Sequence, residues 1–284
     1  MNSVICDICE QSIWDDYRYD KRLMRCSICG LVRAKVNPTT PQLIKHYQKS
    51  YFFGDEYTNY TTDRLALEHN FRFRLQKLNE FVDLSKSYLI EIGCAYGFFL
   101  HLASQRVRRR LGFDLSQDGV MYARTQFGLD AINDQFTTYK GQKANVFCMW
   151  DVIEHLSDPN QYIKHIAKYA KKDSLLALTT GDIGSPLAQV QGKNWRLIHP
   201  PTHLFYFDTS SITKLLRKHG FEVISITHPK LYRNLGSVFE QVLITKSTVA
   251  LRDKKWYGCI KSLLDKLNFG INTFDIMEVV AKKL

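Results

Sequence analysis

The chain has 284 residues, with 45% hydrophobic and 24% charged side chains, a composition that excludes a disordered or fibrous protein. No apolar run reaches the roughly 18 to 20 residues of a membrane span, and "MNSVICDICE" carries neither the basic nor the apolar region of a secretory leader, so a cytoplasmic protein is expected. The formal net charge of +11 is compatible with an anionic small molecule, a membrane surface or RNA as partner.

Two CxxC pairs, Cys6/Cys9 and Cys26/Cys29, stand sixteen residues apart. Two residues between cysteines let a tight turn aim both thiolates at one ion, and two such turns complete a tetrahedron. The spacing predicts a zinc ribbon over residues 1–36 with Zn2+ held by Cys6, Cys9, Cys26 and Cys29; reduced surface thiols are the plain alternative. With five acidic and six basic side chains in residues 1–35, the ribbon is nearly neutral, which weakens a nucleic-acid reading. The positive excess sits instead in "RVRRR" from Arg106, in "KYAKK" from Lys168, and beyond residue 228.

Residues 37–63 begin with the linker "NPTTPQ" and continue into an aromatic stretch with Tyr47, Tyr51, Phe52, Phe53, Tyr57 and Tyr60, read as a lid or an interdomain staple. Apolar positions Leu67, Phe71, Leu75, Leu78 and Val82 recur at helical spacing, predicting a helix over 64–84. Strands are then expected at 88–92, 110–114, 130–133, 145–150, 174–180, 221–227 and 274–280. Helices are expected at 97–106, 117–126, 160–170 and 210–219, so strand alternates with helix and a largely parallel sheet follows. A helical insertion near 234–268 carries two apolar stripes with lysines between them. It is read as packing on the sheet edge or on a homodimer partner, with membrane-surface contact through 250–268 as the alternative. Cys94, Cys148 and Cys259 read as core.

The stretch "YLIEIGCAYGFFLHLAS" is a strand, a glycine turn and a helix start, an arrangement that points backbone N–H groups at a ligand. Ala95 stands where a dinucleotide fingerprint has its middle glycine, which favours a ligand without pyrophosphate. Asp114 ends the next strand, where a carboxylate can accept ribose hydroxyls, and Glu91 precedes the glycines, where one can meet an ammonium.

With "FCMWDVIEHLSDP" added, the chain resembles the class I S-adenosylmethionine-dependent methyltransferases over roughly residues 64–284. Within them, "WRLIHPPTHLFYFDTSSITKLLRKHGFEV" is similar to the branch that often carries an N-terminal zinc ribbon and serves surface-polysaccharide or natural-product pathways. The resemblance implies an α/β Rossmann-like sheet, mostly parallel with an antiparallel last strand, in a methyltransferase domain over 64–284. It implies S-adenosylmethionine contacts from Glu91, Gly93, Ala95, Gly97, Asp114, Trp150, Asp151 and Val152, with Asp134 at the adenine amine, Phe136 flanking the ring and Arg74 at the cofactor carboxylate. Related ubiquinone-pathway enzymes further imply a second ion at Asp151, Glu154 and His155.

The implied enzyme methylates a hydroxyl of a sugar or of another small glycan or secondary-metabolite precursor, an acceptor that the basic charge allows to be anionic. A hydroxyl acceptor needs a base, and His203 is assigned that role, with His155 as second candidate; holding the loop shut is the structural alternative for His203, and starting a helix is that for His155. Trp195 and Arg196 suit an acceptor platform. The rival functions are an RNA methyltransferase gripping phosphates with ribbon and basic patches, and a scaffold that keeps the fold without catalysis. A nucleotide-sugar dehydrogenase is a third.

Overall fold

The computed structural model describes residues 4–36, 38, 42, 60–243 and 255–284. Its centre is a seven-stranded sheet built from β4 (Tyr88–Ile92), β5 (Arg109–Asp114), β6 (Ala131–Asn133), β7 (Ala144–Trp150), β8 (Ala170–Gly181), β10 (Phe221–Thr227) and β13 (Ile276–Lys283) in the order β10-β13-β8-β7-β4-β5-β6. Neighbours from β8 to β6 pair in parallel, whereas β13 runs antiparallel to both β8 and β10. This is the expected mostly parallel sheet with one reversed final strand.

The central strands β4 and β7 are nearly continuous apolar runs because helices cover both faces. Ile90, Ile92, Phe147 and Met149 pack into the core on one face, and Leu89, Val146 and Cys148 into the core on the other. On the second face lie α1 (Arg64–Phe81), which buries Phe71, Leu75 and Leu78, and α2 (Phe98–Ala103). Helix starts follow local chemistry. Ser116 caps α3 (Gln117–Phe127), Asp158 with Pro159 starts α4 (Pro159–Tyr169), and Ser185 with Pro186 starts α5 (Pro186–Gln191). Asp208 and Ser211 form a capping box on α6 (Thr209–Lys218).

The N-terminal strands β1 (Trp14–Asp16), β2 (Leu23–Cys26) and β3 (Val32–Ala34) form an antiparallel sheet that continues into β9 (Phe205–Tyr206), a strand from the loop between α5 and α6. Cys6, Ile8, Cys26, Cys29 and Leu31 share one core with Phe147, Leu204 and Phe207. Lys214 and Lys218 on α6 donate to the carbonyls of Cys29 and Asp7, each at 3.0 Å.

The insertion contains the expected helices, α7 (Leu235–Leu243) and α8 (Lys255–Leu264), framed by an unexpected antiparallel pair, β11 (Leu231–Asn234) and β12 (Asn268–Ile271). The pair docks on α1, where Asn70 exchanges two hydrogen bonds with the Tyr232 backbone. The aromatics Tyr47, Tyr51, Phe52, Phe53 and Tyr57 and the side chains of 250–259 lie outside the described residues. Tyr60 is buried and stacks on Phe98 with centroids 5.4 Å apart. Among the described residues no helix is long and apolar enough to cross a membrane.

Candidate functional site

Beyond Ile92 the chain reverses through residues 93–97 into α2. The amides of Gly93 and Cys94 donate to the Phe113 carbonyl at 2.7 and 3.0 Å, tying the turn to the end of β5. Gly93 has φ +77, and a Cβ there would lie 2.3 Å from Val152 Cγ2, so this position admits only glycine. Ala95 holds the left-handed region at φ 45, a conformation costing a side-chain-bearing residue about 1–2 kcal/mol. Its N–H donates to Asp114 Oδ2 at 2.7 Å, while Asp114 Oδ1 accepts from the Ser116 amide at 2.8 Å. These charge-assisted bonds offset the strain. Burial raises the Asp114 carboxyl, and the same amides pull it back.

Glu91 sits beneath this turn at 3% exposure, and its Oε2 is buried without a hydrogen-bond partner among the described residues. Burial, then the neighbouring Asp114 charge, pushes its carboxyl well above the usual range, and Arg74 opposes the shift. A buried acceptor left open is costly unless a ligand brings a donor. Arg74, from α1, lies over the Trp150 ring at 4.7 Å and 3.6 Å from Asp151 Oδ2. Asp151 is itself left-handed at φ 56 and is clamped by Thr179, whose hydroxyl donates to Asp151 Oδ1 at 2.9 Å. Val152 packs over Gly93.

A cavity of about 720 Å³ opens beside Trp150 and Asp151, walled by α1, the loop holding residues 195–203 and β11. Its polar lining includes Arg74, Arg196, Arg233, His199 and His203, with Tyr60 among its aromatic groups. In one corner His155 Nδ1 lies 3.0 Å from the Thr202 carbonyl and His203 Nδ1 2.9 Å from the Leu197 carbonyl. A carbonyl only accepts, so each Nδ1 carries the proton and each Nε2 is the basic nitrogen. The His199 and His203 rings are 4.0 Å apart, and His155 and His203 are 4.6 Å apart. Burial, then the nearby His155 and His199, holds His203 well below the ordinary histidine range, so it is neutral at neutral pH. One donor atom from each of Glu154, His155 and His203 falls within 4.8 Å of the others, whereas Asp151 turns to Arg74 and Thr179.

Two sequence expectations are corrected. Phe136 is 1% exposed and packed among Phe113, Tyr139 and Phe147 inside the core, so it does not flank a bound ring. Trp195 is 2% exposed, with its indole N–H donating to Asp275 Oδ2 at 2.9 Å, and it braces the loop instead of offering a face to an acceptor. Arg196 does reach the cavity while paired with Asp275 at 3.2 Å. Asp134 is exposed at the end of β6, its oxygens taking the Gln135 amide and the Thr138 hydroxyl. Sequence reasoning missed Arg233, which sits on a four-residue strand with no motif around it.

In the N-terminal ribbon one sulfur from each of Cys6, Cys9, Cys26 and Cys29 lies within 4.8 Å of the rest. Cys6 to Cys29 is 3.4 Å and Cys9 to Cys26 is 3.5 Å, too long for a disulfide at about 2.05 Å. The two turns are near copies. The amide of Glu10 donates to Cys6 O and that of Gly30 to Cys26 O, both at 3.0 Å, and both donors have positive φ. Burial raises the Cys26 thiol, but the Cys29 and Ile28 amides and Cys9 outweigh it and bring it to about 7.

Residues 66–226, more than half of the 284-residue chain, match the model of a family described as a methyltransferase domain. A comparison with curated proteins found no match. Among solved structures, a SAM-dependent methyltransferase from Archaeoglobus fulgidus is similar at TM-score 0.55 and 16% identity, over 83% of this chain and 100% of that one. Magnesium protoporphyrin IX methyltransferase from Synechocystis PCC 6803, with S-adenosylhomocysteine bound, is similar at TM-score 0.52 and 14% identity, over 79% and 86%. At such identities these likenesses establish the fold alone. The chain belongs to the methyltransferase-domain family and has the fold of the S-adenosylmethionine-dependent methyltransferases.

Proposed function

We propose that the protein transfers a methyl group from S-adenosylmethionine to a hydroxyl of a small acceptor, of the sugar or secondary-metabolite-precursor class, seated in the cavity beside Trp150. The observation carrying this reading is Glu91, a buried carboxylate with an open oxygen under a glycine turn. That arrangement fits a ligand that brings an ammonium and no diphosphate. Glu91 and Arg74 would meet the amino-acid end, Gly93, Ala95 and Gly97 would admit the ligand to the backbone, and Asp114 and Asp134 would face ribose and adenine. Bound there, S-adenosylmethionine supplies a methyl already activated on sulfur. The chain's own residues then align the acceptor, exclude water and take up a proton. His203, neutral through burial, and His155 both line the cavity and are assigned to acceptor activation.

The cavity volume lies in the range of small-molecule sites, and Arg74, Arg196 and Arg233 favour an acceptor bearing negative charge. RNA is disfavoured because the ribbon is nearly neutral and three of its six cations are already paired, Arg22 with Asp20, Lys35 with Asp16 and Arg33 with Asp7. The paired knuckles fit Zn2+, whose tetrahedral thiolates stand about 3.8 Å apart, and Cys6, Cys9, Cys26 and Cys29 would hold it as a closed structural centre.

The test is a thermal-shift comparison of S-adenosylhomocysteine with NAD, followed by labelled-methyl incorporation into sugar and nucleotide-sugar pools. Stabilisation by S-adenosylhomocysteine that Glu91→Gln abolishes is expected; stabilisation by NAD in its place refutes the reading. Once an acceptor is found, His203→Ala should lose turnover and keep S-adenosylhomocysteine affinity.

A further inference from the structure

The ribbon and the histidine corner are joined by a continuous run of backbone hydrogen bonds. Ala34 donates to the Leu204 carbonyl at 2.8 Å, and Leu204 donates to the Glu154 carbonyl at 2.8 Å. On the C-terminal side, Val32 and Arg33 pair with Tyr206 and Phe205, and the Tyr206 hydroxyl donates to the His203 carbonyl at 3.0 Å. The Arg33 guanidinium lies 5.0 Å from the centroid of the Phe205 ring and 3.6 Å from Asp7, one residue beyond Cys6. Leu204 is therefore strung between β3 and the start of the turn that carries His155, and His203 is its neighbour. Among the described residues no backbone hydrogen bond ties the ribbon to the glycine turn, which hangs from β5 through Phe113 and Asp114.

We infer that the cysteine ribbon is the positioning element of the acceptor end, acting through Ala34 and Leu204 on His203 and His155. It sets the directions of the two imidazoles and leaves the cofactor end untouched. Ala34 and Leu204 are positioning residues in this assignment, since neither side chain need touch an acceptor. The inference rests on the functional reading above only in calling that corner the acceptor end; the coupling itself is a property of the fold.

Because the acceptor is unidentified, the experiment reads the histidines and the cofactor analogue separately in the full chain. In proton and nitrogen NMR, His155 and His203 should each carry an Nδ1 proton that exchanges slowly. Ala34→Pro deletes the amide that holds Leu204. It should speed exchange at both imidazoles by about tenfold or more, the factor of a 1.4 kcal/mol loss in local closing free energy. S-adenosylhomocysteine affinity should stay within twofold of the parent, and so should the metal content of the ribbon. Unchanged histidine spectra in Ala34→Pro would overturn the coupling. A parallel loss of S-adenosylhomocysteine affinity would also overturn it, by showing that the ribbon braces the whole sheet.

Should Ala34→Pro not fold, hydrogen exchange on the unaltered protein decides. The Ala34 and Leu204 amides and the His203 Nδ1 proton must then open as one unit, separately from the Gly93 and Cys94 amides; uncorrelated opening overturns the inference. Failure of S-adenosylhomocysteine to bind the parent protein would end the methyltransferase reading while leaving the histidine result to stand or fall on its own.

Discussion

The two ends of the cleft are built by opposite means. The glycine turn is assembled from a short contiguous segment, Glu91 to Gly97, closed by one strand end at Phe113 and Asp114. The histidine corner draws on residues 154–155 and 197–203 and on a ribbon strand at 32–34. Local construction makes the first end robust to distant change, while non-local construction makes the second depend on everything it touches. Their buried ionisable groups also pull in opposite directions with pH. Glu91 has a raised carboxyl, so the folded state holds its proton more tightly than the unfolded one, and stability falls as pH rises above the unfolded value near 4.5. His203 has a depressed imidazole, so the unfolded state takes up a proton that the folded state refuses, and stability falls as pH drops below about 6.5.

The largest effect should come from the non-local end. Cys26→Ala removes one sulfur of the four-cysteine cluster and, with Zn2+ held there as proposed, should cost several kcal/mol, a drop in Tm on the order of 10 °C by calorimetry. Below that Tm, S-adenosylhomocysteine should still bind; a simultaneous loss of binding would erase the contrast between the two ends. Next, Gly93→Ala places a methyl against Val152 at positive φ. We expect roughly 2–3 kcal/mol of destabilisation and no detectable cofactor binding, with the metal content of the ribbon unaltered by elemental analysis.

Glu91→Gln should stabilise the ligand-free protein at pH 8 by roughly 1 kcal/mol, since a buried charge is no longer forced. The same change should flatten the alkaline limb of the stability profile and weaken S-adenosylhomocysteine by at least tenfold. The acid limb, assigned to His203, should survive that substitution; its disappearance would mean the two ends titrate together. The smallest effect belongs to Ala95→Gly, which relieves a left-handed alanine. A gain of about 0.5–1 kcal/mol is expected in denaturant melts, limited by the greater freedom of glycine in the unfolded chain.

The same contrast governs what could be read from residues alone. β4 and β7 were legible because strands covered on both faces are nearly continuous apolar runs, interrupted only by Glu91 and Asn145, and the turn between β4 and α2 carries its glycines in plain sight. The strands β9, β11 and β12 were not, since two to four residues give no period and their partners lie far along the chain. Asp114 and Glu91 could be found as carboxylates at strand ends, but the bond from Asp114 to the Ala95 amide, which stabilises a non-glycine turn, depends on three-dimensional approach. Phe136 and Trp195 were misplaced for a shared reason. An aromatic side chain in a segment connecting two strands packs inward or faces a ligand with the same sequence signature, and what decides is a remote partner, such as Asp275 for the Trp195 indole. The histidines were identifiable as candidates, but their tautomers were not, because the accepting carbonyls of Leu197 and Thr202 are fixed only when the loop closes.

The pairing of β3 with β9 joins Arg33 to Phe205 across most of the polypeptide. During translation the first partner leaves the ribosome long before the second exists, an interval of roughly ten to thirty seconds at ordinary elongation speeds. For that time β3 presents an uncovered sheet edge, the kind of surface that recruits foreign strands. Whatever covers that edge first, a chaperone or the ribbon's own early closure around its four cysteines, would then govern how much folded protein a cell obtains.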